Sequence, residues 1–435
     1  MIYLAYETMR RSTRPLAWLL DQGHQLARDE RNPLKDSLGM RALATACELP
    51  ARSLKEYGKP KYEVWEDLGD RELVINGHVL ESLPFADLLN FTENDGVERP
   101  KVLIAAALSG HHATLLQDTV STFTQDFDTY ITDWKDARSV PVEAGEFGFD
   151  DYVEYLIRFM EVLGPDTHLV ATCQAAPPAM VAAAVMAKRK ANYAPASLTL
   201  MGGPVDTRVN AGLLGKATEY LPYAMFEKFN IQTVPEGYPG SGRKVYPGFF
   251  QLSGFISLNP KPHVKQYWNF IRNSLKGDEE ALEKFRDFYD EYFAVLDMSD
   301  TFYLETLKKV FFEHHIPTGQ MEFRGKPLDF KAVKNLRLLT VEGENDNFCP
   351  PGQTMAAHDV FDGIPEDDRK NYIQKGVGHY GVFSGSKFRS SIYPVIRAFI
   401  WETMGIGEDN KPLHHHIVSG ESDLPEEVAE EVGLV

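Results

Sequence analysis

The stretch that decides the fold is THLVATCQAAPPAM, residues 167–180. Its first half is a short apolar run, which predicts a buried β-strand, and its Ala-rich second half predicts a helix. Cys173 stands at the junction, with the small residues Ala171 and Ala175 two positions before and after it. This spacing is typical of a nucleophile elbow, a sharp strand-to-helix turn, with Cys in the place of the usual Ser.

Two features of the predicted helix favour a reactive Cys173. Pro177 and Pro178 fall in its first turn, where a missing N–H costs nothing and the fixed φ is already helical. A helix N-terminus aimed at the thiol would lower its pKa and favour the thiolate, which is the nucleophilic form. The competing interpretation is that Cys173 is a small buried hydrophobe at the end of a core strand, as most free cysteines are.

Around this stretch, strand-like runs alternate with amphipathic helical segments. Residues 150–163 form a clear amphipathic pattern that stops at Gly164-Pro165. The runs that predict further strands are residues 101–110, 128–134, 197–203, 336–343 and 371–377. This alternation predicts an α/β fold, a mostly parallel sheet with helices on both faces.

The alternation stops over residues 206–330, a region crowded with aromatic residues, and it resumes at Leu336. This interruption predicts an insertion between two strands of one sheet, forming a cap (lid) over the site. We expect most of its aromatic side chains to form the cap's own core and a minority to line an apolar channel.

The patterns divide the chain into five segments. These are an N-terminal helical arm with the first strands of the sheet (1–98), the first part of the core (99–205), the cap (206–330), the second part of the core (331–405) and an acidic C-terminal tail (406–435). The arm is predicted to pack on the main domain as helices. The alternative is an amphipathic arm that contacts another subunit or an apolar surface.

Composition narrows the class of function. The chain has 435 residues, 43% of them hydrophobic, and a formal net charge of -18, which makes a nucleic-acid partner unfavourable. Its three cysteines are widely spaced and odd in number, which favours a reducing compartment, and no ligand spacing indicates a metal site. We find no signal peptide, no apolar run long enough to span a bilayer and no dinucleotide or Walker loop, so we expect a cytoplasmic protein without a cofactor.

A nucleophilic cysteine needs a base and a group that orients the base. In an α/β hydrolase these follow the nucleophile in the order acid, then histidine, on loops after late strands. Asp346 follows the strand 336–343, and His379 lies between glycines after the last predicted strand. The sequence therefore predicts a triad of Cys173, Asp346 and His379. Glu344 and Asp206 are the rival acids.

Backbone N–H groups should stabilise the oxyanion of an acyl-transfer reaction. One donor is expected to be the N–H of Gln174, the residue after the nucleophile, and the other is expected in the loop after the early strand, at Ser109. Gly110 in that loop permits a close approach of the backbone to a ligand. His111 and His112 either shape the pocket wall or only pack.

Several stretches together resemble the intracellular poly(3-hydroxybutyrate) depolymerases, from near residue 1 to about 400. They are ALSGHHATLL, TYITDWKDARSVP, ATCQ, MGGPVDTR, YPGFFQLSGF, FYDEYFAVLDM, TVEGENDN, AAHD and GHYGVFSG. The resemblance implies an α/β-hydrolase fold with a cap and the cleavage of short-chain polyhydroxyalkanoate in cytoplasmic storage granules to 3-hydroxybutyrate oligomers and monomer. It also implies that Cys173 is the nucleophile, Asp346 the acid and His379 the base.

The sequence departs from the family pattern in places. Asn347 and Phe348 follow the acid where the family often has another acid, Ala175-Ala176-Pro177 replaces a Pro-containing variant, and the acidic tail falls outside the similarity. Two alternatives remain. One is a polyhydroxyalkanoate synthase-like acyltransferase, which is less favoured because its expected Gly-x-Cys-x-Gly elbow is Ala-x-Cys-x-Ala here. The other is a non-catalytic granule-binding protein of the same fold. Assembly into a homo-oligomer is left open.

Overall fold

The computed structural model describes residues 2–67, 72–91, 98–258 and 260–406. The acidic tail predicted from residue 406 lies outside the described residues from position 407 onward. Within the described part of the chain, no helix combines the length and the apolar character that a membrane crossing requires.

Fifteen strands are present in the described residues. Their bounds are β1 (Glu63–Asp67), β2 (Glu72–Asn76), β3 (His78–Ser82), β4 (Ala86–Asn90), β5 (Lys101–Ala105), β6 (Asp128–Trp134), β7 (Thr167–Thr172), β8 (Ser197–Met201), β9 (Gln232–Thr233), β10 (Lys244–Tyr246), β11 (Met298–Ser299), β12 (Glu322–Phe323), β13 (Lys326–Pro327), β14 (Arg337–Gly343) and β15 (Arg369–Gln374).

Thirteen α-helices lie in the same described ranges. Their bounds are α1 (Ile2–Arg28), α2 (Leu38–Leu54), α3 (Gln117–Thr124), α4 (Phe149–Leu163), α5 (Ala176–Arg189), α6 (Leu213–Tyr220), α7 (Tyr223–Asn230), α8 (Gly248–Leu258), α9 (Pro260–Lys276), α10 (Glu279–Phe293), α11 (Asp300–Thr306), α12 (Ala357–Val360) and α13 (Tyr393–Thr403).

Eight strands form the main sheet, in the order β3-β4-β6-β5-β7-β8-β14-β15. All neighbours pair in parallel except β4, which runs antiparallel to both β3 and β6. A mostly parallel sheet buries both faces beneath helices, and every residue of β7 is buried accordingly. The strand order and the turn after β7 confirm the predicted α/β-hydrolase fold.

The helix that follows β7 is unusually apolar for its length. All of its first eleven residues, 176–186, are buried, because α5 packs against both the sheet and α4. A helix that is apolar on all sides belongs inside a large core rather than on its surface. The elbow between β7 and α5 therefore joins two elements of the rigid core.

The chain between β8 and β14 contributes no strand to the main sheet among the described residues. It contains α6 to α11 and forms a second aromatic cluster of its own. The buried members of this cluster are Phe270, Leu282, Phe285, Phe288, Tyr289 and Tyr292. The N-terminal helices pack on this region, and Arg286 of α10 makes a two-pronged ion pair with Glu48 of α2, at 2.6 and 2.9 Å.

One predicted strand is shorter in the structure than in the sequence pattern. β5 ends at Ala105, whereas the apolar run predicted a strand to residue 110. At Ala106 the backbone leaves the sheet, because its N–H donates to the Thr132 hydroxyl and its carbonyl accepts from Trp134 Nε1 and the Tyr152 hydroxyl. At the carboxyl end of β5, side chains therefore take the place of the neighbouring strands as hydrogen-bond partners. The loop that follows leaves the sheet and runs beside the elbow.

The segment between β14 and β15 contains only one short α-helix, α12. The carboxylate of Glu342 accepts the N–H groups of Gly352, Thr354 and Met355 at 2.9 to 3.0 Å, which holds this segment as turns. A buried carboxylate with three backbone donors fixes the loop that carries the acid of the candidate site.

Candidate active site

Cys173 follows β7 directly and occupies a strained backbone conformation. Its φ is +49°, in the left-handed region that a residue with a side chain rarely adopts. A short 3₁₀ turn, Cys173–Ala175, then leads into α5. This is the geometry of a nucleophile elbow, in which strain projects one side chain away from the sheet edge.

Small neighbours make this turn sterically feasible. Ala171 and Ala175 are completely buried. Gly203, after β8, approaches so closely that a Cβ atom built on it would lie 2.2 Å from the Cβ of Ala176. No larger residue fits at position 203 without moving the start of α5. The restriction to small residues around the elbow therefore also applies to Gly203, after the neighbouring strand β8.

His379 bridges the elbow and the loop after β14. Its Nδ1 lies 2.6 Å from Asp346 Oδ2, and its Nε2 lies 3.2 Å from Cys173 Sγ. The three residues follow β7, β14 and β15 at the carboxyl end of the sheet, where parallel strands place their loops together. The structure thus brings together the three residues that the sequence singled out.

The carboxylate of Asp346 is held from its other side. Its Oδ1 accepts the backbone N–H groups of Phe348 and Cys349, both at 2.8 Å. The imidazole of His379 contacts the rings of Phe348 and Phe383, each with its centroid 5.2 Å away. Both partners of this hydrogen bond are therefore fixed in orientation before any substrate arrives.

The rival acids have other partners. Glu344 Oε2 accepts the N–H of Gly376 at 2.9 Å, and Asp206 forms an ion pair with Arg208 at 2.7 Å. Among the described residues, Asp346 is the carboxylate that bonds to His379.

The electrostatics favour an ion pair between the nucleophile and the histidine. A hydrogen bond from the Cys349 thiol, opposed by burial and reinforced by the charge of His379, lowers the pKa of Cys173 to about 5. Burial alone disfavours the charged form of His379, but the charges of Asp346 and Cys173 raise its pKa well above its ordinary value. Both shifts favour a thiolate beside an imidazolium.

Cys349 is the residue of this site that the sequence interpretation missed. A hydrogen bond with the Cys173 side chain, together with burial, raises the pKa of the Cys349 thiol well above its ordinary value. The proton therefore stays on Cys349, which donates to the thiolate. The available signal was its position three residues after Asp346, on a loop already predicted to meet the elbow.

The loop after β5 lies beside the elbow, because Ala105 is paired with Ala171 across the sheet. Ser109, Gly110, His111 and His112 are carried by this loop. Gly110 has a φ of +99°, and the space that a side chain there would need is occupied by Gln251. Gly110 therefore permits a close approach, but the group that approaches it is the side chain of Gln251, from the inserted region.

The two loop histidines are buried in the structure and held neutral. His111 Nε2 lies 3.2 Å from the carbonyl of Tyr292, and burial lowers its pKa to about 4. Burial and the charge of Lys59 lower the pKa of His112 to about 3. At neutral pH neither imidazole carries charge.

The inserted region contributes aromatic side chains to the site. Phe255 of α8 contacts Phe348, with ring centroids 6.0 Å apart, and it also contacts His111 at 5.8 Å. Phe348 in turn lies against His379. An apolar surface therefore extends from the histidine to α8, a helix with the sequence GFFQLSGFISL.

This arrangement links a thiol, an imidazole and a carboxylate by hydrogen bonds, which are groups able to serve as a nucleophile, its base and the group that orients the base. Those are the three components that covalent acyl transfer requires. In the part of the chain that the structure describes, no group of three or more His, Cys, Asp or Glu side chains is arranged to hold a metal ion.

Comparison with known proteins gives a family match over part of the chain. Residues 202–404 match the family model described as "PHB de-polymerase C-terminus". A search among curated proteins gives no match. Among solved structures, a monoacylglycerol lipase from Paleococcus ferrophilus is 11% identical, with a TM-score of 0.44 and coverage of 73% of this chain and 99% of the other.

A soluble variant of monoglyceride lipase from Saccharomyces cerevisiae is 8% identical, with a TM-score of 0.44 and coverage of 76% of this chain and 95% of the other. The segment matched by the family model contains both Asp346 and His379. Cys173 lies outside it, 28 residues before position 201. Residues 202–404 therefore resemble the C-terminal region of PHB depolymerases.

Proposed function

We propose that this protein is an intracellular polyhydroxyalkanoate depolymerase. It hydrolyses ester bonds of short-chain poly(3-hydroxybutyrate) to 3-hydroxybutyrate oligomers and monomer, through an acyl thioester on Cys173. The single observation that carries the proposal is the position of His379 Nε2, 3.2 Å from the sulfur of an elbow cysteine. The family match over residues 202–404 supports an ester hydrolase and favours the polyester as its substrate.

The reaction begins from the thiolate–imidazolium pair. The Cys173 thiolate attacks an ester carbonyl carbon, and the tetrahedral intermediate collapses to a thioester as the C–O bond breaks. His379 gives its proton to the departing alkoxide, which leaves as the hydroxyl end of the polymer. Neutral His379 then takes a proton from water, the hydroxide attacks the thioester, and the acid product leaves as the thiolate re-forms.

Asp346 acts on His379 rather than on the substrate. Its hydrogen bond to Nδ1 keeps that nitrogen protonated, so Nε2 is the atom that exchanges a proton with the reacting groups. The backbone N–H groups of Gln174 and Ser109 are the proposed oxyanion donors. Their support is positional, because Gln174 follows the nucleophile and the loop of Ser109 follows the strand paired with β7.

The side chain of Gln174 supports a specific role in substrate recognition. Its amide oxygen is buried, and no residue that the structure describes gives it a hydrogen bond. A buried acceptor without a donor is costly unless a ligand supplies one. The free 3-hydroxyl of a 3-hydroxybutyrate ester, or of the unit at the hydroxyl end of a polymer chain, is such a donor, so Gln174 would favour acyl units with a free 3-hydroxyl over unsubstituted ones.

The inserted region acts as a cap that grips the apolar polyester. Its support is the contact of Phe255 with Phe348, next to His379, and the partial exposure of the apolar side chains of α8. Partly exposed aromatic rings that border a reactive group suit an apolar chain better than a polar one. We place residues 206–330 in this role.

The first helix is proposed to contact the granule surface. α1 exposes large apolar side chains at Leu16 (51%), Trp18 (62%) and Leu19 (60%), which is unusual for a helix that faces only water. A W18S/L19S variant should sediment less with amorphous poly(3-hydroxybutyrate) granules and should still hydrolyse a soluble 3-hydroxybutyrate ester. V79S/L80S, which changes two exposed apolar residues of β3, is the matched control. Equal sedimentation of both variants would remove this part of the proposal.

The proposal is tested by the release of 3-hydroxybutyrate from amorphous granules. Cys173→Ala should abolish release, whereas Cys47→Ala, which changes a cysteine of α2, should release product at the wild-type rate. Wild-type release by Cys173→Ala would exclude the proposed nucleophile. Supplying 3-hydroxybutyryl-CoA in place of polymer distinguishes hydrolysis from synthesis, because formation of long polymer would favour an acyltransferase.

A further inference from the structure

The histidine of the candidate site is carried by a loop that is anchored on both sides. Before His379, the carbonyl of Val377 accepts the N–H of Asn345 at 2.9 Å, which ties this stretch to the loop of Asp346. After His379, the backbone passes through a short 3₁₀ turn and reaches Gly385, whose φ is +88°. The anchor on this second side involves α3, a helix to which the proposed reaction gives no role.

The second anchor consists of two neighbouring side chains in the first turn of α3. The hydroxyl of Thr119 donates to the carbonyl of Phe383 at 2.5 Å. The carboxylate of Asp118 accepts the N–H of Gly385 at 2.7 Å and pairs with Arg389 Nη1 at 2.8 and 2.9 Å. Both side chains are buried, and Thr119 is completely inaccessible to solvent. These contacts join α3 to three positions in the segment that follows the histidine.

Phe383 connects this anchor to the imidazole. Its ring lies edge-on to the ring of His379, with centroids 5.2 Å apart, while its carbonyl is held by Thr119. Gly202, after β8, packs closely against both rings, since a Cβ built on it would lie 3.2 Å from Phe383 and 3.5 Å from His379. A shift of the Phe383 backbone would therefore move His379 Nε2 from its position 3.2 Å from Cys173 Sγ.

α3 also continues directly from the loop that carries an expected oxyanion donor. Ser109 lies in the loop after β5, and a 3₁₀ turn, Ala113–Leu116, leads from this loop into α3. α3 packs on β6, which is the neighbour of β5 in the main sheet. One helix fixed on the sheet therefore borders both the loop of the oxyanion donor and the loop of the base.

We propose that Asp118 and Thr119 are positioning residues, which hold the loop of His379 so that Nε2 stays within hydrogen-bonding distance of the Cys173 sulfur. Neither residue contacts the substrate. The inference deepens the proposed function and rests on it, because it concerns the base of the same reaction. Its physical basis is that a misplacement of about 1 Å at a reacting group can cost about 100-fold in rate.

Thr119→Val removes the hydroxyl and keeps the β-branched shape of the side chain. A carbon atom does not approach a carbonyl oxygen much closer than about 3.3 Å, so the Phe383 carbonyl, 2.5 Å from the wild-type hydroxyl, must retreat by about 1 Å. The kcat for a soluble 3-hydroxybutyrate ester should fall by at least about tenfold, while KM stays within about twofold. Thr119→Ser keeps the hydroxyl and should recover most of the wild-type kcat.

The second measurement is the pH dependence of the alkylation of Cys173 by iodoacetamide, which needs no substrate. A hydrogen bond with Cys349, opposed by burial and reinforced by the charge of His379, lowers the pKa of Cys173. If the imidazole moves away, this pKa rises, so the pH midpoint of alkylation should rise in Thr119→Val but not in Thr119→Ser. A residue that served only the stability of the fold would leave this midpoint unchanged.

Asp118 is tested by a graded pair of variants. Asp118→Asn keeps an oxygen for the N–H of Gly385 but loses the charge that pairs with Arg389, whereas Asp118→Ala loses both contacts. The kcat should decrease in the order wild type, Asp118→Asn, Asp118→Ala. Wild-type kcat in Asp118→Ala would overturn the role of Asp118. The Thr119 variants, which change a single hydroxyl, decide the proposal if Asp118→Ala fails to fold.

Thr122→Val is the matched control, because Thr122 is a buried threonine of the same helix whose hydroxyl donates to a carbonyl within α3. It should keep the wild-type kcat and alkylation midpoint. Wild-type values of both in Thr119→Val would overturn the proposal, as would equal losses in Thr119→Val and Thr122→Val. A loss of kcat in Thr119→Val without a shift of the midpoint would overturn it too. The alkylation result stands even if the polyester is not the substrate.

Discussion

Asp346 accepts the backbone N–H of Cys349 at 2.8 Å, so the carboxylate that orients the histidine also fixes the second cysteine of the site. The other oxygen of Asp346 bonds to His379. One side chain therefore holds both the imidazole that lies 3.2 Å from the Cys173 sulfur and the backbone of the cysteine that lowers the pKa of Cys173. A change at Asp346 should disturb the base and the thiol together.

Replacing Asp346 by Asn should lower kcat for a soluble 3-hydroxybutyrate ester by about 10⁴-fold, as a triad whose histidine is held in the wrong tautomer loses rate. An amide can still accept the N–H groups of Phe348 and Cys349, but its NH₂ group would donate to His379 Nδ1. Nε2 would then carry the proton and could not accept one. Steady-state kinetics on the folded variant measure this loss.

Glu344→Gln is the control for that experiment. Glu344 is two residues away and bonds to the N–H of Gly376, not to the histidine. The kcat of this variant should stay within about twofold of the wild-type value, because substitutions away from the reacting groups usually have small effects. A larger loss in Glu344→Gln than in Asp346→Asn would show that the wrong acid has been placed in the triad.

The rate of alkylation of Cys173 by iodoacetamide should depend on pH with a midpoint near the pKa of about 5. The sign follows from the lowered pKa, because the thiolate persists above about pH 5 and is protonated as the pH falls through that value. Activity on the acid side should fall over the same range. Mass spectrometry of the alkylated Cys173 peptide gives the rate at each pH.

The midpoint should rise in Cys349→Ala, which removes the largest cause of the lowered pKa. Cys349→Ser keeps an O–H donor and should lie closer to the wild type. This pair of variants separates the loss of a hydrogen bond from the loss of bulk. Identical midpoints in all three proteins would mean that Cys349 does not stabilise the thiolate.

Gln174→Leu should reduce the preference for 3-hydroxybutyrate esters over butyrate esters. The variant removes the buried acceptor that is proposed to bind the substrate hydroxyl. Enzymes that lose such a contact discriminate less well between a substrate with the hydroxyl and an analogue without it. The ratio of the two kcat/KM values should fall by about tenfold, which corresponds to one hydrogen bond. An unchanged ratio would show that the hydroxyl is recognised elsewhere.

Gly203→Ala should destabilise the protein by about 1–3 kcal/mol or more, the cost of an added methyl in a packed core. Its Cβ would lie 2.2 Å from the Cβ of Ala176, at the start of the helix that follows the elbow. Urea denaturation measures the change. Gly254→Ala is a control, because a Cβ there meets nothing within 4 Å.

Local sequence patterns predicted the elements around the elbow closely. β7 includes the predicted apolar run, β6 has the predicted bounds of 128–134, and α4 begins one residue before the predicted helix. These segments combine strong periodicity with clear stop signals such as Gly164-Pro165. The ends of strands were harder to predict. β5 stops where the side chains of Thr132, Trp134 and Tyr152 replace the neighbouring strands as hydrogen-bond partners.

The parts of the site that depend on long-range contacts could not be derived from local pattern. Cys349 is distant from Cys173 in sequence, and nothing in either segment alone brings the two thiols together. Gln251 beside Gly110 is a similar case, because the insertion returns to the loop after β5. The order of strands and loops along the chain was enough to predict the triad of Cys173, Asp346 and His379. Which other side chains contact these three depends on packing between distant segments, which the local pattern does not show.

The central claim is that Cys173 carries the acyl group during ester hydrolysis. The most direct measurement is mass spectrometry of the protein after rapid acid quenching during turnover of a 3-hydroxybutyrate oligomer. The account predicts a mass increase of one or more 3-hydroxybutyryl units on the peptide of Cys173, absent in Cys173→Ala. An adduct on another residue, or turnover by Cys173→Ala at the wild-type rate, would contradict it.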